Sequence, residues 1–353
     1  MAEKLKDKGV IPDELLEVLR LTSPGRPLRT AIDEISKAGR GALIVVGDMV
    51  QIQKVIDGGF DVNCTFSHQR LMELCKMDGA VVIDKDCKII LLANALLVPD
   101  TLIKTTETGT RHQAAERTAK QTDCFVIAIS EKRRTVTLYY RNMHYVLRDP
   151  QGLLSRSAEE SRMLEKHKEI FNELVLRLDF LELTNLPSLN EAILAIQRAE
   201  IIARIASVIK SYIIELGREG SLVKMQLKDL TKGIDDEELL ILKDYSKRDV
   251  FATKVDLAEL SLEEELIEPE NILKTLGYSE KEDVVTKGYR MLSKTGLPES
   301  EIEDIIKKVK NLQTLMTTQP ESLISDKISR EKLLFLQKEL SKIKENIVIS
   351  KNI

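Results

Sequence analysis

The sequence predicts an α/β domain over residues 1–148 and an all-α chain after it. Three observations lead there. Up to Arg148, segments with a helical apolar period interleave with short strand-like runs. Runs such as Ala80-Val-Val-Ile83 are apolar and β-branched enough to be buried strands. Beyond Asp149-Pro-Gln-Gly152 the apolar period turns helical and stays so.

In chain order, helical patterns cover 13–20, 28–38, 50–57 and 67–76, and strands are expected at 42–46, 80–83 and 88–92. Thr108-Gly-Thr110 then opens a helix over 111–121, rich in Ala, Glu, Arg and Lys, before further strands at 125–130, 135–140 and 144–147. Long helices are expected at 165–183 and 189–216, broken by Pro187 and Ser188, with Ser188 or Asn190 placed to cap the second. Between Thr231 and Glu270 thirteen acidic side chains face five basic ones, an anionic connector that reads as a solvated helix face or as a docking surface. After Pro269 the pattern is helical again, with a turn at Leu292–Pro298, a Pro-led helix over 299–312, and helices at 320–324 and 329–345.

Composition bounds the function. With 43% hydrophobic and 31% charged residues the chain has a globular balance, and 353 residues suffice for two or three domains. The longest apolar runs are strand-length and the N-terminus is rich in Lys and Asp, so neither a signal peptide nor a membrane span is expected and the location implied is cytoplasmic. Cys64, Cys75, Cys87 and Cys124 lack Cys-x-x-Cys spacing and read as reduced thiols with a packing role. A net charge of -4 confines any nucleic-acid contact to a local patch. The absence of Trp and the 4% aromatic content argue against a base-stacking platform.

The chemistry concentrates in two places. Asp78-Gly79 is turn chemistry that leaves a carboxylate at the edge of the strand beginning at Ala80. Thr110, Arg111 and His112 bring a hydroxyl, a guanidinium and an imidazole to a helix start whose first amides lack intrahelical partners, which suits a polyphosphate. Each half also has a plain reading, as an ordinary turn and as an N-cap with solvated side chains.

Asp57-Gly-Gly-Phe60, Lys76-Met-Asp-Gly-Ala80, Ala93-Asn94, Leu97-Val-Pro-Asp100, Glu107-Thr-Gly-Thr-Arg-His112, Ala115-Glu-Arg117 and Ala119-Lys-Gln-Thr122 follow one another in the order and spacing of a single family. The chain resembles the DisA family of DNA-integrity scanning diadenylate cyclases. The likeness continues through Tyr212-Ile-Ile-Glu-Leu-Gly217, Met225-Gln-Leu227, Asp244-Tyr245, Leu276-Gly-Tyr278 and Gly288-Tyr-Arg290. It implies an α/β N-terminal domain with a central mixed sheet flanked by helices, followed by an all-α linker domain and a small all-α helix-hairpin-helix-like domain. The boundaries implied are 1–148, 149–268 and 269–353.

The resemblance further implies that two such domains face each other, each holding one ATP, and that each 3′-hydroxyl attacks the other's α-phosphorus to give cyclic di-AMP and two pyrophosphates. Asp78 would bind Mg²⁺ or Mn²⁺ and activate the hydroxyl, and Asp78, Arg111 and His112 form the implied catalytic set. Gly79 and Ala80 would let the nucleotide approach the backbone, and Leu97 would lie at adenine. Thr110, Arg111 and His112 would hold the phosphates, Gln113 and Ala114 would belong to the same ATP site, and Ser130 would add a hydroxyl contact. A homo-oligomer, an octamer of two tetramers, belongs to this picture.

The chain departs from the family in three places. The family's Arg-His-Arg reads Arg111-His112-Gln113, which replaces a guanidinium with an amide. Glu131 stands where relatives are often basic, although Lys132, Arg133 and Arg134 keep positive charge nearby. The hairpin turn of the last domain reads Ser325-Asp-Lys-Ile-Ser-Arg330, without glycine, and residues 301–353 carry ten basic against eight acidic side chains. Binding to branched DNA is therefore expected to be weak and salt-labile. The functional readings are an active diadenylate cyclase, a nucleotide-binding regulator that has lost turnover, and a DNA-structure-binding scaffold. No membrane partner is expected.

Overall fold

The computed structural model describes residues 13–351 except 187, 261–264, 267, 280–283, 285, 310 and 319–328. Helices α1 (Asp13–Leu21) and α2 (Pro27–Lys37) precede β1 (Ala42–Gly47), α3 (Met49–Ile52), β2 (Ile56–Asp57), β3 (Phe60–Thr65) and α4 (His68–Leu74). There follow β4 (Ala80–Asp84), β5 (Ile89–Leu97), α5 (Thr110–Gln121), β6 (Phe125–Ile129), β7 (Val136–Tyr140) and β8 (Met143–Val146). The strands form one eight-stranded sheet ordered β2-β5-β4-β1-β6-β7-β8, with β3 beside β5. β1 and β4 run parallel and the other pairs are antiparallel, so the sheet is mixed as expected.

Both faces of its centre are buried, which is why β1 and β4 read as unbroken apolar runs. Ala42, Ile44 and Val46 with Val81 and Ile83 pack under α1, α2 and α4. Leu43, Val45, Ala80 and Val82 pack under Ala115 and Ala119 of α5.

Two expectations here need correction. The helix expected over 50–57 is one turn, α3, capped by Asp48, whose Oδ1 accepts the Val50 N–H at 3.2 Å. Ile56 and Asp57 then pair with Leu97 and Leu96, because the β5 edge offers Ile56 a ladder that suits a β-branched residue better than a helix does. β3 was not anticipated: its register shifts between Asp61 and Cys64, where Asn63 has φ +44°, so a bulge scrambles the alternation that marks a strand.

The chain packs as two compact units, 1–159 with 207–225 and 160–206 with 226–353. Helix α6 (Pro150–Thr184) starts well before the expected 165. Pro150 stands in its first turn and Asp149 Oδ2 accepts the Gly152 N–H at 3.1 Å, so the Pro and Gly read as punctuation begin the helix. Helix α7 (Leu189–Leu216) keeps its expected bounds. Beyond it lie α8 (Ser221–Thr231), α9 (Ile234–Tyr245), α10 (Val250–Glu259), α11 (Pro269–Thr275), α12 (Tyr289–Ser293), α13 (Glu299–Val309), α14 (Leu312–Thr317) and α15 (Arg330–Lys351). The helix expected over 299–312 ends at Val309, and Asn311 caps α14 by accepting the Thr314 N–H at 2.7 Å. Pro187, the helix expected at 320–324 and residues 325–328 of the hairpin turn lie outside the described residues.

The second unit is organised around Arg290, whose side chain is fully buried. Its guanidinium meets Asp179 at 2.7 Å, Glu182 at 2.7 Å and Glu237 at 2.8 Å. Burial opposes the charge, but the attraction of Glu182, Glu237 and Asp179 outweighs it and raises the Arg290 pKa. Burial also pushes the Glu182 carboxyl up to about 7, against the pull of Arg290. Asp244 accepts the backbone N–H groups of Gly288, Tyr289 and Arg290 at 2.7, 2.8 and 2.9 Å, which fixes the start of α12. Among the described residues no helix is long and apolar enough to cross a membrane.

Replacing Arg290 with Met should strand the Glu182 and Glu237 carboxylates, leave Asp179 with Lys294 alone, and destabilise the protein by about 3–5 kcal/mol. The stranded carboxyls would have raised folded pKa values, and protonating them relieves the penalty. The deficit against wild type should therefore shrink as pH falls from 7.5 to 5.5 in urea unfolding. A deficit that is constant across that range would mean the carboxylates are not left uncompensated.

Candidate functional site

The parallel pairing aligns Leu43 with Ala80, and the antiparallel pairs align Leu43 with Ala128 and Ala80 with Ala95. Gly41, Asp78, Ser130 and Leu97 each lie two residues beyond one of these aligned positions, at the same end of the sheet. Asp78 is exposed on the turn before β4. Among the described residues its carboxylate has no hydrogen bond or ion pair.

α5 starts at the same end. Its N-cap, Gly109, offers no side chain to the first-turn amides. The Arg111 guanidinium lies directly on Gly41: a Cβ added there would come within 2.1 Å of its Nη1. Arg111 therefore sits beside the strand end that neighbours Asp78. His112 meets the Tyr139 ring edge-on, with centroids 6.3 Å apart. Burial lowers the His112 pKa, Glu107 opposes that, and the charges of Arg111 and Arg133 lower it further. Its protonated form is thus opposed by two guanidinium groups, whose field an anion would offset.

The rest of α5 is committed to the loop between β5 and the helix. Gln121 accepts the Asp100 N–H at 2.8 Å, Arg117 Nε donates to the Ile103 carbonyl at 3.0 Å, and Lys120 Nζ donates to the Lys104 carbonyl at 2.8 Å. Glu116 accepts from the Thr105 hydroxyl and from the Thr106 N–H. Gln113 Nε2 donates to the Glu107 carbonyl at 2.8 Å, and Tyr139 Oη donates to the Glu107 carboxylate at 2.8 Å. The polar face of α5 that the sequence presents as solvated is therefore a strap for residues 100–107. By contrast, the side chains of Thr110 and Arg111 have no hydrogen bond or ion pair among the described residues.

Other sequence-predicted residues are placed as follows. Gly79 has φ +86°, and a Cβ there would lie 2.8 Å from the Ala95 carbonyl oxygen, so the sheet itself requires glycine. Ala80 is fully buried, and Ala114 packs partly buried against the same apolar cluster. Leu97 also belongs to that cluster, while the open apolar surface at this end of β5 comes from Leu96 and Val98. Ser130 Oγ accepts the Arg133 N–H at 3.2 Å, which holds the 130–134 turn. The residues that sequence reasoning missed are Gly41, Glu107 and Tyr139. Glu107 stood in the quoted segment Glu107–His112 without a role, and the place of Gly41 emerges only from the strand register.

Among the described residues no three His, Cys, Asp or Glu side chains gather as a metal site. A lone, uncommitted carboxylate such as Asp78 still fits Mg²⁺ or Mn²⁺, which take one or two carboxylates and complete their shell with phosphate oxygens and water.

Residues 29–144 match the family described as DisA bacterial checkpoint controller nucleotide-binding, and residues 147–285 match the DisA bacterial checkpoint controller linker region. A DNA integrity scanning protein DisA from Acetivibrio thermocellus is 41% identical over 88% of this chain and 89% of its own. Proteins of the same name from Clostridioides difficile and Clostridium tetani are each 38% identical, the first over 96% of this chain and 98% of its own, the second over 97% of both.

Gly41→Ala tests the contact between strand end and guanidinium. The added methyl must displace Arg111, the far end of a flexible side chain, so stability should change by less than about 1 kcal/mol. Affinity for a nucleoside triphosphate should fall roughly tenfold or more if Arg111 holds phosphate. Calorimetric titration beside urea unfolding separates the two; unchanged affinity would remove Arg111 from the site.

Proposed function

The chain belongs to the DisA family and is a diadenylate cyclase, and from that premise we propose that it joins two ATP molecules into cyclic di-AMP with release of two pyrophosphates. The observation that supports this reading is the sorting of polar groups at one end of the sheet: Asp78, Thr110 and Arg111 are uncommitted there, while neighbouring side chains of α5 are spent on the loop. Thr110, Arg111, His112 and the first amides of α5 hold the triphosphate. Asp78 faces the 3′-hydroxyl as proton acceptor and is the residue that would hold Mg²⁺ or Mn²⁺. When bound, such an ion would supply charge neutralisation on the reacting phosphates.

One site carries one ATP, so reaction requires a second copy of the domain facing it, and the active species is a homo-oligomer, by resemblance an octamer. Contact with branched DNA is part of the proposal only as a weak, salt-labile interaction, given the net charge of residues 301–353 and the glycine-free 325–330. A nucleotide-binding regulator without turnover is the second reading, and the amide at Gln113 is what favours it.

Incubating the protein with ATP and Mn²⁺ or Mg²⁺ and analysing the products by mass spectrometry should reveal cyclic di-AMP, with specific activity falling on dilution. Asp78→Asn should abolish turnover and leave ATP affinity within a few-fold. Turnover of this variant at the wild-type rate would rule out the assigned role.

Gln113→Arg keeps an N–H donor in reach of the Glu107 carbonyl and adds a charge near the phosphates. Turnover should rise, by up to roughly two orders of magnitude if the contact is felt fully in the transition state. An inert substitution would mean that Arg133, already close to His112, supplies that charge.

A further inference from the structure

A second concave site lies in the first unit, on the sheet face opposite α5. A cavity of about 390 Å³ opens between the α1–α2 loop and the end of α7. Arg20, Arg26 and Arg218 line it, and no carboxylate does. Among the described residues none of the three guanidinium groups has a hydrogen bond or an ion pair. Pro24, Ile213 and Ile214 supply its apolar surface, and Ser23, Gly25 and Gly217 complete the wall.

Helix physics does not account for this charge. Arg20 is in the last turn of α1, where a cation is favoured. Arg26, however, is the N-cap of α2, where a cation is disfavoured; it makes no side-chain cap, and the first turn of α2 holds no acidic residue. Arg218 reaches the same space from the other wall, its Cδ within 3.4 Å of where a Cβ on Gly25 would sit. The walls are tightly joined as well: Gly217 has φ +55°, and a Cβ there would lie 2.9 Å from Ser23 Cβ. Three like charges around one concavity focus a positive potential that an anion would relieve, and guanidinium groups match phosphate oxygens in pairs. The volume is that of a small-molecule pocket, with convergent charge on one side and apolar surface on the other.

We propose that this cavity binds an organic phosphate of nucleotide size, with its phosphates on Arg20, Arg26 and Arg218 and its ring against Pro24, Ile213 and Ile214. It is separate from the catalytic site, because α1 and α2 cover the face bearing Ile44 whereas α5 covers the face bearing Leu43 and Val45.

The test uses the full chain carrying Arg111→Ala, which weakens phosphate binding at the first site, with ADP as the probe in calorimetric titration. The Arg111→Ala chain should still bind ADP. Adding Arg26→Ser should weaken that binding at least tenfold, while the melting temperature stays the same or rises, because Ser is the better N-cap. Arg218→Gln should weaken it comparably. Inorganic pyrophosphate should bind more weakly than ADP, since it leaves the apolar wall unused. ADP affinity unchanged by both substitutions, or no ADP binding by the Arg111→Ala chain, would overturn the site, and pyrophosphate binding as tightly as ADP would overturn the nucleotide-sized ligand. These readouts are equilibrium binding alone, so they stand apart from whether the protein turns ATP over.

Discussion

The parallel pairing of β1 with β4 is the constraint from which the site follows. A side-chain period of two means that a one-residue slip would turn every side chain of β4 to the opposite face. Ala80 and Val82 would then leave α5 and Val81 and Ile83 would leave α2, so the β4 contribution to both packed faces would be lost. Burial on both sides thus fixes the register, and the register brings Gly41 and Asp78 to the same end of the sheet. The carboxylate needs no partner to position it, because the hydrophobic core does so from a distance. That leaves Asp78 free for chemistry.

α5 combines two demands that usually conflict, since a helix rich in charged residues must either be solvated or find partners. Here the division follows sequence position. From Gln113 onward the polar side chains bind the loop of residues 100–107, and the loop in turn delivers Gly109 to the helix start. The first turn is left with bare amides and with Thr110 and Arg111 unclaimed. Glu107 links the two halves, because it accepts from Gln113 and Tyr139 and also opposes the lowering of the His112 pKa. A change at Gln113 therefore reaches His112 through Glu107 as well as through any direct contact with substrate.

Much of this fold was legible because buried strands and amphipathic helices leave strong periods: β1, β4, β6, α2 and α7 lie where the apolar pattern puts them. β3 was not, because its bulge at Asn63 breaks the alternation, and neither was β2, whose two residues are strand only by virtue of the β5 edge. At the site, Asp78 and Thr110 to His112 were readable as turn and helix-start chemistry. Gly41 was not, since its importance lies in a guanidinium seventy residues away along the chain. Gln113 looked like a loss of charge, and its bond to Glu107 could not be seen from sequence because it depends on how the loop folds back. Asp244-Tyr245 and Gly288-Tyr-Arg290 drew notice only as family resemblance. Their physical content is a buried charge cluster and a helix start that no periodicity encodes.

The course of α7 shows why a linear boundary describes this chain poorly. Its last residues belong to the same compact unit as the sheet. There Glu215 accepts the Tyr145 hydroxyl at 2.6 Å and the Arg148 N–H at 2.9 Å, while Arg29 donates to the Arg148 carbonyl at 3.4 Å. Burial raises the Glu215 pKa, and these donors with the charges of Arg148 and Arg29 counter it. A carboxylate desolvated to this degree is tolerable only while its donors stay in place, so the end of α7 and the exit from β8 must remain docked together. The sheet whose register places Asp78 is therefore completed by a helix some seventy residues further along the chain. Cutting the protein after residue 148 would remove the carboxylate that anchors Tyr145 and Arg148, and with it one wall of the arginine-lined cavity.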